Sequence, residues 1–300
     1  MLDKKTLIKQ LKEAGIQKGD VLNMKVSLRS IGKLEDGAET LIQALLEVVG
    51  KEGTIVSDAF VTTKNYNLPF QKREIVNEQT KSYAGGFANA MIRHKDAYRS
   101  KHPIQKFVAI GKLAKQLTEN HNEKSFAYGV LRDLLSLGGK NIKIGPEKKV
   151  PGVGTTHIAI CDLNFEQRRV KNGVYYQTEE NQVKFHEVNW VGGCGFGFTN
   201  LMPEFEKQGA ILYNGKLGNA DLKISSMKKT YDIEIEKLKE NPRHILCSND
   251  SCLDCRVSWS FSPWSLSKYI LRQVKLKRFR KVGGALYYLL FSRKLKGQEK

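Results

Sequence analysis

The chain predicts an α/β fold, a parallel sheet layered with helices, and three observations carry that prediction. A strand-like run over residues 21–26 leads through a polar loop into a helical pattern and then into a second strand, Gly53-Thr54-Ile55-Val56-Ser57. That is a βαβ unit, and parallel neighbours need such a crossover. A second apolar run, Asn141-Ile142-Lys143-Ile144, again gives way to a Gly-rich loop and a helix. Finally, 300 residues with 40% hydrophobic and 27% charged content can bury a large soluble core, as one big domain or two moderate ones.

Taken in order, Leu7, Ile8, Leu11 and Ala14 share one face of a helix over residues 3–15, with Asp3 as its cap. This opening is amphipathic rather than a signal core, and no run approaches about 18 apolar residues. A cytosolic location is therefore expected, and an odd count of five cysteines then points to thiols or metal ligands rather than disulfides. The strand over residues 21–26 ends in Ser27-Leu28-Arg29-Ser30-Ile31-Gly32. A hydroxyl and loop N–H groups at a strand end, with Lys25 and Arg29 beside them, can hold a pyrophosphate; a capped turn with surface charges is the alternative. Gly37-Ala38-Glu39-Thr40 opens the next helix, whose apolar face is Leu41, Leu45, Leu46 and Val49.

Eleven residues near mid-chain, Gly152-Val153-Gly154-Thr155-Thr156-His157-Ile158-Ala159-Ile160-Cys161-Asp162, combine Gly and Thr backbone with one imidazole and one carboxylate. They start where a strand gives way to a loop and helix, the place α/β proteins favour for ligands. His157 and Asp162 have the chemistry of a general base and its orienter. Beyond, a helix follows Pro203 with Gly209 as its stop, a turn is expected at Asn214-Gly215, and residues 227–239 read as a helix. His244-x2-Cys247-x4-Cys252-x2-Cys255 has the spacing of a zinc site or part of an iron–sulfur cluster, with Cys194 as a remote further ligand; a metal-free thiol loop is the alternative.

The net charge of +19 is the compositional outlier. It favours anionic partners and argues against a strongly cationic substrate unless the site is locally acidic. Residues 264–300 hold eleven Lys/Arg against one acid, Glu299. Ten residues, 282–291, lie between basic clusters and are too few to span a bilayer. They suit an in-plane anchor on the inner membrane surface, or a helix docked on its own domain.

Several of these stretches together resemble the aminoglycoside 3-N-acetyltransferase family. They are Gly19-Asp20, Val26-Ser27-Leu28-Arg29-Ser30-Ile31-Gly32, Gly37-Ala38-Glu39-Thr40 and Gly53-Thr54-Ile55-Val56, then Gly85-Gly86-Phe87. Arg99-Ser100-Lys101-His102-Pro103, Val108-Ala109-Ile110-Gly111, Gly138-Gly139-Lys140, residues 145–162 and Gly215-Lys216-Leu217-Gly218-Asn219-Ala220 continue the match. The resemblance covers roughly residues 1–240. It implies a mixed central sheet layered with helices, distinct from the GNAT fold, and an acetyl-CoA-dependent transfer.

On that basis Lys25, Ser27, Leu28, Arg29, Ser30, Gly32, Arg99 and Ser100 become coenzyme A contacts, and His157, Asp162 and His102 catalytic candidates, although His102 before Pro103 also suits a structural role. The family signature of Thr, His and, three residues on, Glu is broken here, because Ile160 stands at the Glu position. Asp162 is a poor replacement on a regular helix, where i and i+5 lie about 140° apart; Glu187 is a more distant option. Nor does the acceptor stretch Trp190-Val191-Gly192-Gly193-Cys194-Gly195-Phe196-Gly197-Phe198 contain a carboxylate for an ammonium-rich antibiotic. Direct transfer to an amino sugar, aminoglycoside-like or a cell-surface polysaccharide precursor, with a histidine as general base, is the expected reaction. The segments are then an acetyltransferase domain (1–242), a Cys-rich segment (243–260) and a basic tail (261–300). No nucleic-acid partner is expected, and a homodimer stays open. The competing reading is a non-catalytic basic protein on a degenerate transferase scaffold, directed at anionic lipid or nucleic acid.

Overall fold

The computed structural model describes residues 1–65 and 74–297. The end of the basic tail, residues 298–300 with Glu299, lies outside them. At the centre of a seven-stranded sheet is Val21–Val26, paired parallel with Thr54–Asp58 on one side and Lys140–Ile144 on the other. The flanks are antiparallel: Phe107–Gly111 and Tyr98–Arg99 extend one edge, Ala220–Ser226 and Ile211–Leu217 the other. The sheet is therefore mixed, and parallel only where a helical crossover separates the strands.

The expected turn at Asn214-Gly215 is corrected, for both residues lie inside Ile211–Leu217. The reversal falls at Gly218-Asn219, between the paired Leu217 and Ala220, and Gly218 adopts the left-handed φ of 55° that a two-residue hairpin needs.

One face of the sheet is covered by Lys4–Glu13, Ala38–Val49 and Gly86–Arg93. The first starts as expected, with Asp3 accepting from the Thr6 N–H at 2.8 Å. Leu7, Leu11, Leu41, Leu45, Phe87 and Met91 pack there with Leu22, Met24, Ile142 and Ile144. Each such side chain contributes about 1.5–3 kcal/mol when fully buried. The other face carries Gly129–Ser136, Thr155–Asp162 and Met227–Glu240, and their core continues into Trp190, Phe198, Cys255 and Trp259.

The chain beyond residue 242 is woven into this layer. Trp259 bridges to Gln167, and Ser292–Leu295 pairs antiparallel with Gln167–Val170. Helices Leu266–Lys275 and Phe279–Phe291 lie between them, each anchored by a buried tyrosine, Tyr269 and Tyr288. Among the described residues no helix is long and apolar enough to cross a membrane.

Candidate active site

The alternation of a strand decides where the site can be. In Val21–Val26, Leu22 and Met24 enter the apolar layer, so Asn23 and Lys25 face the opposite way. Lys140–Ile144 repeats the pattern with Asn141 and Lys143, in register with Asn23 and Lys25. The Asn23 amide donates to Asn141 Oδ1 at 3.0 Å, and hydroxyls of Thr155 and Thr230 meet at 3.1 Å. Thr156 donates to Glu234 Oε1 at 2.6 Å. These bonds seat the helix Thr155–Asp162 in a largely dry layer, since every residue from Thr155 to Cys161 except His157 is buried.

The His157 ring is held by aromatic packing. Tyr128 stacks on it at 4.6 Å and 13°, and Phe198 meets its edge at 4.9 Å and 81°. It lines a cavity of about 510 Å³ with Tyr83, Trp190, Arg169 and Asp254. Burial first, then the charges of Lys25 and Arg169, push its pKa down to about 3. The imidazole is therefore neutral at physiological pH, the protonation state a general base requires. Its Nδ1 is buried without a hydrogen-bond partner.

Asp162 does not supply that partner. Arg132 grips its carboxylate at 2.5 and 3.2 Å, and the Tyr231 hydroxyl donates to it at 2.7 Å. The helix is regular, so the fifth residue after His157 points to another neighbour. Glu187 is likewise engaged, with Arg293 at 2.7 Å and Lys171 at 3.5 Å. Ile160 is fully buried, and the His157 ring packs between Tyr128 and Phe198 with no carboxylate beside it among the described residues.

Two groups escaped the sequence reading. Glu234 is fully buried, and desolvation raises its pKa to about 8 against the lowering effect of the Thr156 and Thr155 hydroxyls. Its signal was present: in Met227–Glu240 it falls on the same stripe as buried Met227, Thr230, Ile233 and Leu238. Asp254 reaches the cavity from the Cys-rich segment and had no local signal. It shares one cavity wall with Arg169; burial pushes the Asp254 carboxyl up while the Arg169 charge acts against that, and neither side chain has a hydrogen bond or ion pair within 4 Å among the described residues.

Ser27 and Ser30, at the carboxyl end of the central strand, bring their hydroxyls within 2.8 Å. Leu28 opens a four-residue helix, Leu28–Ile31, which Gly32 ends; Arg29 is exposed. Lys25 Nζ lies 3.5 Å from the Pro151 carbonyl, and its charge acts on His157, although neither Lys25 nor the serine loop lines the 510 Å³ cavity.

Arg99 and Ser100 are elsewhere. Arg99 donates to the carbonyls of Glu78 and Ala59 at 2.5 and 3.2 Å, while the Ser100 hydroxyl accepts from the Phe107 N–H at 2.9 Å. Both line a larger cavity of about 910 Å³, walled by Glu78, Glu119, Glu123 and Glu179 and lacking His157. The smaller cavity is the one that holds the imidazole. His102 is also removed from it: its Nδ1 accepts from the Ile104 and Gln105 N–H groups at 3.1 and 3.0 Å. The ring is buried, stacked on His121 at 5.0 Å and edge-on to Trp190 at 5.4 Å, behind the cavity wall.

The metal-like segment is rearranged too. The Sγ atoms of Cys194, Cys247, Cys252 and Cys255 all lie within 4.8 Å of one another. His244 is not among them; it sits half-buried on the turn Pro242–Ile245, its carbonyl accepting from Asn200 at 3.0 Å. The fourth donor is Cys194, brought in by the Gly-rich stretch.

With this geometry in view, comparison with known proteins places the chain. Residues 24–239 match the family model described as aminoglycoside 3-N-acetyltransferase. The chain belongs to that family. Aminoglycoside N(3)-acetyltransferase III of Salmonella sp is 31% identical over 161 residues, 48% of this chain and 56% of that protein. The chain thus spans about half the length of this relative. Aminoglycoside N(3)-acetyltransferase VII of Streptomyces paromomycinus is 24% identical over 266 residues, covering 78% of this chain and 90% of that one. The family fold is shared with a solved AAC-IIIb bound to CoASH, at a TM-score of 0.66 and 20% identity over 80% of this chain and 97% of that one. The family match ends before the Cys-rich segment, so Cys247, Cys252, Asp254 and Cys255 lie outside it.

Proposed function

We propose that this chain is an acetyl-CoA-dependent N-acetyltransferase whose acceptor is an amino sugar. The observation that carries the reading is the neutral His157 imidazole in the wall of the 510 Å³ cavity. His157 removes a proton from the acceptor amine as its nitrogen attacks the thioester carbonyl. The tetrahedral oxyanion then meets backbone N–H groups around Gly152–Thr156, and collapse expels the coenzyme A thiolate. Ser27, Ser30 and Lys25 hold the cofactor's phosphates, with Leu28, Arg29 and Gly32 shaping the loop. The four-cysteine cluster holds a metal ion in the same reading.

The charges in the cavity narrow the acceptor. A polycation needs several carboxylates, whereas this wall offers Asp254 against Arg169. A sugar with one ammonium group, such as a glycan precursor, fits better than an ammonium-studded antibiotic. The test is coenzyme A thiol release with glucosamine-type acceptors beside kanamycin. A kcat/KM at least tenfold higher for the mono-amino sugars supports the assignment; preference for kanamycin overturns the acceptor, and no release with any amine overturns the transferase.

The tail adds a location. Leu271, Phe279, Leu289 and Leu290 are 56–72% exposed, interleaved with Arg272, Arg278, Arg280 and Lys281. An apolar face set among cations suits the surface of an anionic membrane. Co-flotation with phosphatidylglycerol vesicles at low salt, but not with phosphatidylcholine vesicles, is expected; equal recovery in both removes the contact.

A further inference from the structure

The four cysteines invite a sharper statement than a metal of unspecified kind. All are free thiols, from two chain segments more than fifty residues apart. Zn–S bonds of about 2.3 Å in a tetrahedron put ligand sulfurs roughly 3.8 Å apart. The mutual Sγ limit of 4.8 Å therefore fits one ion, while a cluster with bridging sulfides would hold the cysteines further apart. Four thiolates closing a tetrahedron suit zinc in a structural role, with no open position for substrate. The turn that presents the Cys194 sulfur is closed by the backbone, with the N–H groups of Gly197 and Phe198 donating to the Cys194 carbonyl at 2.8 and 3.2 Å.

The ion's place gives it a function. Cys194 follows Gly192 and Gly193, which line the His157 cavity, and opens the short helix Gly195–Phe198 whose Phe198 clamps the imidazole. Cys255 follows Asp254, the unpaired cavity carboxylate. Nearby, the two segments touch main chain to main chain: a Cβ on Gly197 would fall 1.9 Å from the Ile245 carbonyl oxygen. One ion at the four sulfurs thus ties two walls of the same cavity.

We propose that Cys194, Cys247, Cys252 and Cys255 bind a single zinc ion, and that this ion fixes Asp254 where its carboxylate receives the ammonium group of the acceptor. The second half rests on the amino-sugar reading above; the first does not. The full-length protein is expected to carry about one zinc per chain, and its Co(II)-substituted form to show thiolate-to-cobalt charge transfer and tetrahedral d–d bands. Cys252→Ser loses the metal. Asp254→Asn keeps the zinc but weakens glucosamine binding in calorimetry at least tenfold, leaving acetyl-CoA affinity unchanged; chelation of the wild-type protein reproduces that selective loss. Absence of metal, or iron with sulfide absorption, overturns the zinc site whether or not the protein is a transferase. Full zinc with no glucosamine binding by the wild-type protein, or with binding unaltered in Asp254→Asn, overturns the role of Asp254.

Discussion

His157 and His102 look alike by most local measures and differ in what surrounds them. Both are desolvated, and both are held neutral by burial and neighbouring positive or titratable groups. At His102 the Nδ1 lone pair is used by two backbone N–H groups, and His121, His186 and Trp190 enclose the ring. At His157 aromatic rings hold the imidazole, but Nδ1 is unused and the ring borders an open cavity. Burial and a low pKa therefore do not mark a base; an uncommitted ring beside room for a substrate does.

The largest expected effect separates the two. His157→Ala should lower kcat/KM by about a hundred- to ten-thousand-fold, the range for loss of a general base, with the fold retained in circular dichroism. His102→Ala should do the reverse. It strands two backbone donors and empties a packed site, so unfolding in urea should show about 2–5 kcal/mol lost, while the folded fraction keeps kcat/KM within about threefold. A catalytic collapse in His102→Ala with normal stability would erase the distinction.

A smaller effect sharpens it. Wild-type kcat/KM should show no acid limb near pH 6.5, because the imidazole stays unprotonated down to about pH 3. Ile160→Glu places a carboxylate one helical turn from His157, and an adjacent anion favours the imidazolium. The acid limb should then move upward by about one unit or more, at some cost in stability from the buried charge. An unmoved pH–rate profile would show that position 160 does not reach the imidazole.

Much of the site was legible because its parts are close in sequence. The Ser27 loop, the Thr155-Thr156-His157 turn and the metal-like Cys spacing each lie within a helical turn or two, and the alternation of Asn23 and Lys25 against Leu22 and Met24 is written in the strand. Glu234 could have been found from its place on an apolar stripe. Asp162 misled because nearness along a helix is not nearness in direction, and Arg132 and Tyr231 come from other helices.

The sequence by itself determined the family, the βαβ start and the capped first helix, since each depends on residue type and short-range geometry. Only the tertiary structure decided that Cys194 rather than His244 completes the sulfur cluster, and that Asp254 enters the His157 cavity. Those outcomes depend on how distant layers dock, which is settled by the whole packed core.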